Sequence, residues 1–262
     1  MLYDSPETFV EGTAPFIRDA VAAGEPIMVA IGAEKIELLR TWLGEDADRV
    51  VFADMAELGA NPARIIPAWQ EFVDANAAPG RPLRGIGEPI WADRSPTELV
   101  ECQCHEALLN VAFANTSGFH LICPYDTVRL GGDVIAEAEA SHPFVAGDPS
   151  AAYRGDHAVP QFAAPLPERP ADAGIHEISR DTLADLRRLM AAEGERCGLS
   201  RRRTHDLVLA VHEIATNSVR HVRPALGQTG GWGLWLANQL CDLVQLRELP
   251  HGSVVRLHQR TR

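Results

Sequence analysis

The chain has 262 residues, of which 46% are hydrophobic and 23% charged, with a formal net charge of −12; this is a globular composition with material for two compact domains. It holds no run of about 18 apolar residues and does not open on a basic-apolar leader, so no membrane partner is expected and a cytoplasmic protein is. Five cysteines, odd in number and without framework spacing, agree with a reducing compartment. Residues 1–145 carry 23 acidic and 9 basic side chains, against 13 and 15 in residues 146–262, and an acidic half of this strength argues against direct nucleic-acid binding.

In chain order, Glu7 to Ala23 reads as a helix closed by Gly24, and Pro26 to Ile31 as a short apolar strand. A helix over Ala33 to Leu43, a strand at Val50 to Phe52 and a helix over Pro62 to Ala77 follow. Leu83 to Glu88 comes next, then a helix from Ser95 to Asn115 and a strand at His120 to Cys123. Such alternation predicts an α/β fold, a mostly parallel sheet covered by helices. Lys35 is the sole lysine and no G-x-x-x-x-G-K-[ST] occurs, which excludes a P-loop nucleotide site. Cys102 and Cys104 are two apart on a predicted helix, which turns their sulfurs to different faces and argues against a metal site there.

Glu88 and Asp126 follow predicted strands, and open α/β sheets gather ligand-contacting groups at carboxyl ends. His105 and Glu106 lie on the helix after Trp91, and His105 is placed to bridge to Glu88 or Asp126 as a titrating switch. The same residues serve equally as a hydrogen-bond cluster tying helix to sheet. Trp91 and Tyr125 either line a pocket or fill the core. From His142 to Gly174 six prolines break any helix, so residues 146–172 are expected to be a linker between domains at 1–145 and 173–262.

In the second domain Ser200 is a plausible N-cap for a helix that opens on Arg201-Arg202-Arg203, either a solvated helix start or a docking patch for an acidic partner. Glu213, Asn217 and His221 stand four apart, which stacks them on one helical face among Leu207, Leu209, Val211, Ile214, Ala215 and Val219. That pattern predicts a largely buried helix. A carboxylate and an amide oxygen one turn apart suit a water and a hard cation such as Mg²⁺, though the spacing alone fits a solvated polar stripe as well. Gly230, Gly231 and Gly233 then feed a helix through Leu234, which lets backbone N–H groups approach phosphate oxygens or simply starts a helix.

Two resemblances add to these readings. Asn61-Pro62-Ala63-Arg64-Ile65-Ile66, Gly85-Ile86-Gly87-Glu88-Pro89-Ile90-Trp91, Glu101 to Asn110 and Cys123-Pro124-Tyr125-Asp126 resemble the MEDS sensory domain, spread over most of residues 1–140. The resemblance implies a RecA-like fold that senses an unknown small molecule, with Glu88, Trp91, His105, Glu106, Tyr125 and Asp126 as the candidate pocket. Leu209 to His221 with Gly231 to Asp242 resembles the GHKL ATPase fold, in its anti-sigma-factor serine kinase branch, and implies a smaller α/β sandwich. By that resemblance Glu213 is the general base and Asn217 the Mg²⁺ ligand. His221, Gly231, Gly233 and Leu234 then belong to the ATP site, and the partner is a sigma factor or an anti-sigma-factor antagonist. The family's D-x-G-x-G segment is absent. Only the eight residues Val222 to Thr229 separate the two motifs and none is Asp, too few for two strands and a lid at ~3.3 Å per residue. Either the nucleotide site is degenerate and the domain a non-catalytic binding module, or an internal segment is missing. No separate helix carries a phosphoacceptor His, which argues against a two-component histidine kinase, and a homodimer is left open.

Overall fold

A computed structural model describes residues 1–155, 162–220, 232–250 and 252–261. The chain divides into two units, Met1–Val159 and Pro160–Arg262.

In the first unit, β2 (Ile27–Ile31), β3 (Val51–Asp54), β4 (Leu83–Gly87) and β5 (Phe119–Ile122) form a parallel sheet in the order β3-β2-β4-β5. Every residue of β2 is buried, and their alternation sorts them cleanly between two layers. Ile27, Val29 and Ile31 join Ile86 in a core with α1 (Pro6–Ala23) and α2 (Ala33–Leu43). Met28 and Ala30 face the other way, into a core with α3 (Met55–Leu58), α4 (Ile65–Asn76) and Leu109 of α5 (Pro96–Ala112). A strand covered on both faces has no solvent side, hence the unbroken apolar run. A short parallel pair, β1 (Leu2–Tyr3) with β6 (Tyr125–Asp126), lies outside this sheet, and α6 (Gly132–Ser141) follows it.

Helix boundaries follow local chemistry. Both α1 and α5 open with a capping box and proline in the first turn: the Ser5 hydroxyl accepts from the Thr8 amide while Thr8 accepts from the Ser5 amide, and Ser95 and Glu98 repeat the exchange. Gly24 ends α1 at φ 68°, in the left-handed region glycine tolerates. The predicted helix over Pro62 to Ala77 resolves into a 3₁₀ turn at Pro62–Arg64 and then α4.

The Gly85-Ile86-Gly87 motif has a packing cause. Residues two apart share a face of a strand, and on β4 that face meets the indole of Trp69, buried on α4. A Cβ on Gly85 would lie 2.8 Å from both Trp69 Cζ3 and Leu121 Cδ1, and one on Gly87 3.0 Å from Trp69 Cζ2. Glycine at both positions lets the ring lie directly on the backbone.

The first unit continues past residue 145. β7 (Phe144–Val145) pairs antiparallel with β8 (Asp148–Pro149) across Ala146 and Gly147, both at positive φ, 52° and 91°, as a two-residue hairpin turn of the I′ kind needs. The Arg154 amide then donates to the Ala140 carbonyl at 2.9 Å.

The described residues of the second unit hold α7 (Leu183–Arg196), α8 (Arg201–Arg220) and α9 (Trp232–Leu240), followed by β9 (Leu243–Leu249) paired antiparallel with β10 (Gly252–His258). The Ser200 hydroxyl accepts from the Arg203 amide at the start of α8. Of the residues in α8 only Thr204, Ala210 and Ala215 are buried, so the helix is less enclosed than its sequence predicts. Its polar stripe remains partly open, and the small core of Ala210, Ala237, Cys241 and Val244 covers one side of it. Arg203 makes a two-pronged bond to Asp242 at 2.8 and 3.1 Å. Burial alone would raise the Asp242 carboxyl, but the bonds from Arg203 and from the Arg260 amide outweigh it and hold the group below its ordinary range. Among the described residues of the whole chain, no helix is long and apolar enough to cross a membrane.

Gly85→Ala should destabilise the first unit by about 1–3 kcal/mol through overpacking against Trp69, read as a lower urea midpoint. In the second unit a carboxyl with a depressed folded pKa contributes stability that is complete above its unfolded value, about 3.9, and is lost as pH falls through the lower folded value. Asp242→Asn should therefore remove part of the acid-side loss of stability, seen in melting temperatures followed from about pH 5 to pH 2.5.

Candidate functional site

In the order β3-β2-β4-β5 successive strands are added to one side of β2 and then to the other, so the strand order reverses between β2 and β4, and the crevice at the carboxyl ends of such strands is where open α/β sheets receive ligands. Here it is filled from within. Glu88 follows β4 directly, its amide bonded to the Ala30 carbonyl at 3.0 Å, and its side chain is 4% exposed. Lys35, on the first turn of α2, places Nζ at 2.6 and 2.7 Å from the two Glu88 carboxylate oxygens. Lys35 Nζ also donates to Tyr3 Oη at 2.5 Å, and that hydroxyl donates to Glu88 Oε1 at 2.5 Å. Burial pushes the Glu88 carboxyl up, opposed by the Lys35 charge and by hydrogen bonds from Lys35 and Tyr3. The Tyr3 hydroxyl is pushed far up, first by burial and then by its bond to Glu88, so it stays a neutral donor. This trio ties β1 and α2 to the central strand.

A second cluster lies beside β5 and differs in one respect. Glu106 of α5 is 3% exposed, and its Oε2 accepts a hydrogen bond from the buried Tyr125 hydroxyl. Its other oxygen, Oε1, is buried and has no hydrogen-bond partner among the described residues. Burial raises the Glu106 carboxyl against the opposing pull of His142 and Tyr125, and burial and then the Glu106 charge raise the Cys123 thiol. Glu106, Cys123 and His142 all line a cavity of about 470 Å³ whose other walls include Leu109, Phe113 and Phe119. A concave apolar space with a few convergent polar groups at one end is the form of a small-molecule site.

The six residues expected to form one pocket are thus distributed. Glu106 and Tyr125 meet, while Glu88 belongs to the crevice trio. Asp126, on β6, accepts the amides of Val128 and Arg129 at 3.0 Å each and so shapes the following turn. Trp91 is half-buried, with the Arg94 guanidinium 3.7 Å over its ring. His105, expected to bridge to Glu88 or Asp126, places Nδ1 at 2.8 Å from the Glu101 carbonyl of its own helix. One residue along a helix is a turn of 100°, and it is Glu106 that faces Tyr125. Tyr3, Lys35, Cys123 and His142 were not among the expected pocket residues. A lone lysine at the start of a helix after a buried strand, and a cysteine ending an apolar strand, were their signals.

In the second unit Glu213 and Asn217 lie on α8 and Gly233 and Leu234 in the first turn of α9. A Cβ on Gly233 would fall 2.2 Å from Asn217 Nδ2 and 3.5 Å from Glu213 Cβ, so α9 rests on the face that carries both. Leu234 packs on the small core with Ile214. His221, Gly230 and Gly231, and all of Val222 to Thr229, lie outside the described residues. One carboxylate and one amide fit the metal end of a Mg²⁺–nucleotide, since Mg²⁺ keeps most of its waters. The sequence supplies no aspartate between the two motifs for the adenine end.

Removing Lys35 leaves Glu88 buried without its cation. Lys35→Met should cost about 2 kcal/mol, less than a fully enclosed pair because the lysine is partly exposed, and adding Glu88→Gln should recover most of it. Urea denaturation of the two variants checks this.

Comparisons with known proteins give one match. No curated protein and no solved structure matches the chain. Residues 1–143 match the family described as MEDS, methanogen/methylotroph, DcmR sensory domain. That span holds the parallel sheet, the crevice trio and the Glu106–Tyr125 pair, and on this basis the chain belongs to the MEDS sensory-domain family.

Proposed function

We propose that the protein is a signalling regulator in which a small molecule entering the cavity beside Glu106 controls a protein-binding second unit of the anti-sigma-factor GHKL type. The observation that carries the sensory half is the coincidence of a sensory-family match with a cavity that ends on a buried carboxylate whose second oxygen is unpaired. The partner in this reading is a sigma factor or an anti-sigma-factor antagonist. The Trp232–Trp235 pair, stacked edge to face at 5.6 Å with Trp232 74% exposed, supports a protein-facing role, because aromatic side chains are favoured anchors at such surfaces.

Within that reading the second unit binds its partner without phosphorylating it. The close approach of Gly233 to Asn217 and the missing adenine-contacting aspartate favour this. In a catalytic version Asn217 would hold Mg²⁺, whose charge offsets that of the transferred phosphoryl group, and Glu213 would accept the proton of a partner Ser or Thr hydroxyl.

Calorimetry of the whole chain with Mg-ATP at millimolar concentration should give no saturable heat, and Asn217→Ala should bind the partner as the parent does. Saturable binding, with phosphoryl transfer to the antagonist lost in Asn217→Ala and Glu213→Gln, would establish the kinase instead.

A further inference from the structure

We infer that Glu106, Cys123 and His142 form a site for a divalent transition-metal ion of the zinc class, with an open coordination position facing the cavity. A carboxylate oxygen of Glu106, the Cys123 sulfur and a ring nitrogen of His142 lie within 4.8 Å of one another. Zinc-to-ligand bonds are about 2.0–2.3 Å, so a tetrahedral set has edges of roughly 3.3–3.8 Å, and side-chain movements of about an ångström close the set. The three residues come from separate elements: the second half of α5, the residue after β5, and the residue that ends α6. The fold, not local sequence, brings them together.

The surroundings orient each donor. His142 Nδ1 lies 2.8 Å from the Ala138 carbonyl; a carbonyl only accepts, so Nδ1 carries the proton and Nε2 keeps its lone pair. That backbone bond is the usual means by which a protein fixes the tautomer of a ligating histidine. Tyr125 holds Glu106 Oε2, which turns the carboxylate and leaves Oε1, buried and unpaired, as the donor. An orphaned buried carboxylate oxygen is destabilising, and a cation offsets that cost. One carboxylate, one thiolate and one neutral imidazole balance a divalent charge, and mixed O, S and N donors select zinc-like ions over Mg²⁺ or Ca²⁺. Three protein ligands beside a cavity that all three line leave the fourth position to water or to a donor atom of an entering molecule, the pattern of reactive zinc sites and not of closed structural ones.

This site rests on the sensory reading only in sharing its cavity and the Glu106 oxygen, and it has its own test. The whole chain, stripped with a chelator and dialysed, is titrated with Co²⁺. One equivalent should produce a thiolate-to-cobalt charge-transfer band in the near ultraviolet together with visible bands of four-coordinate intensity, and Zn²⁺ should displace them. Cys123→Ser should abolish the charge-transfer band, His142→Gln should weaken binding at least about tenfold, and Cys197→Ser, at an exposed cysteine, should change nothing. Tyr125→Phe should weaken binding about tenfold while leaving the band in place, because it acts through Glu106. Absence of the band in the folded parent, or its survival in Cys123→Ser, overturns the site. Should Cys123→Ser fail to fold, unaltered binding in His142→Gln overturns it equally. Neither result touches partner binding by the second unit, which is read separately.

Discussion

A carboxylate placed at the carboxyl end of a central parallel strand has to be neutralised by the fold, and much of the first unit is arranged around that need. Glu88 emerges at the end of β4, almost wholly buried. Its desolvation is offset only because Lys35 reaches across from the start of α2 and Tyr3 from β1. The pair and the hydroxyl tie α2 and the short β1 to the sheet, beside the apolar packing of Ile36, Leu39 and Leu43. A buried pair of this kind adds little net stability, but losing either partner is costly, so it acts as a specification of which elements meet.

The same ladder that delivers Tyr3 also serves the second cluster. Leu2 pairs with Tyr125 and Tyr3 with Asp126, so neighbouring residues of β6 serve different purposes. The Tyr125 hydroxyl goes to Glu106, while Asp126 stands opposite Tyr3 in the ladder. Two polar groups of residues, one saturated and one with an unpaired oxygen, thus share a two-residue strand pair. Saturation suits the first to holding the fold and the open valence suits the second to binding.

The alternating elements were legible in the sequence because β2 is apolar along its length and because Ser5, Ser95 and Gly24 mark helix ends by chemistry that needs no tertiary context. The glycines of β4 were visible as a motif, whereas their reason, the Trp69 ring, comes from a helix before the strand and could not be read locally. Which of the neighbouring His105 and Glu106 meets Tyr125 could not be read from the sequence, for a physical reason. The inner face of α5 carries Glu98, Glu101 and Glu106, all buried, so hydrophobic periodicity does not reveal which way the helix is turned. His142 escaped notice because it belongs to the end of α6, far from Cys123 in sequence and adjacent to it only in space. In the second unit the spacing of Glu213 and Asn217 did place both under Gly233. The extent of burial did not follow, because it depends on neighbouring elements and not on the helix's own pattern.

The pairing of residues 2 and 3 with residues 125 and 126 also sets an order of events. Strands β2 to β5 and their helices can assemble as each is made, since each parallel neighbour waits only for the crossover between them. β1 has no partner until some 120 residues later in the chain, and contacts of such separation are the slow ones to form. During synthesis the segment that supplies Tyr3 therefore waits for residues 125 and 126 before its strand can pair. The sensory unit is closed last by its first residues.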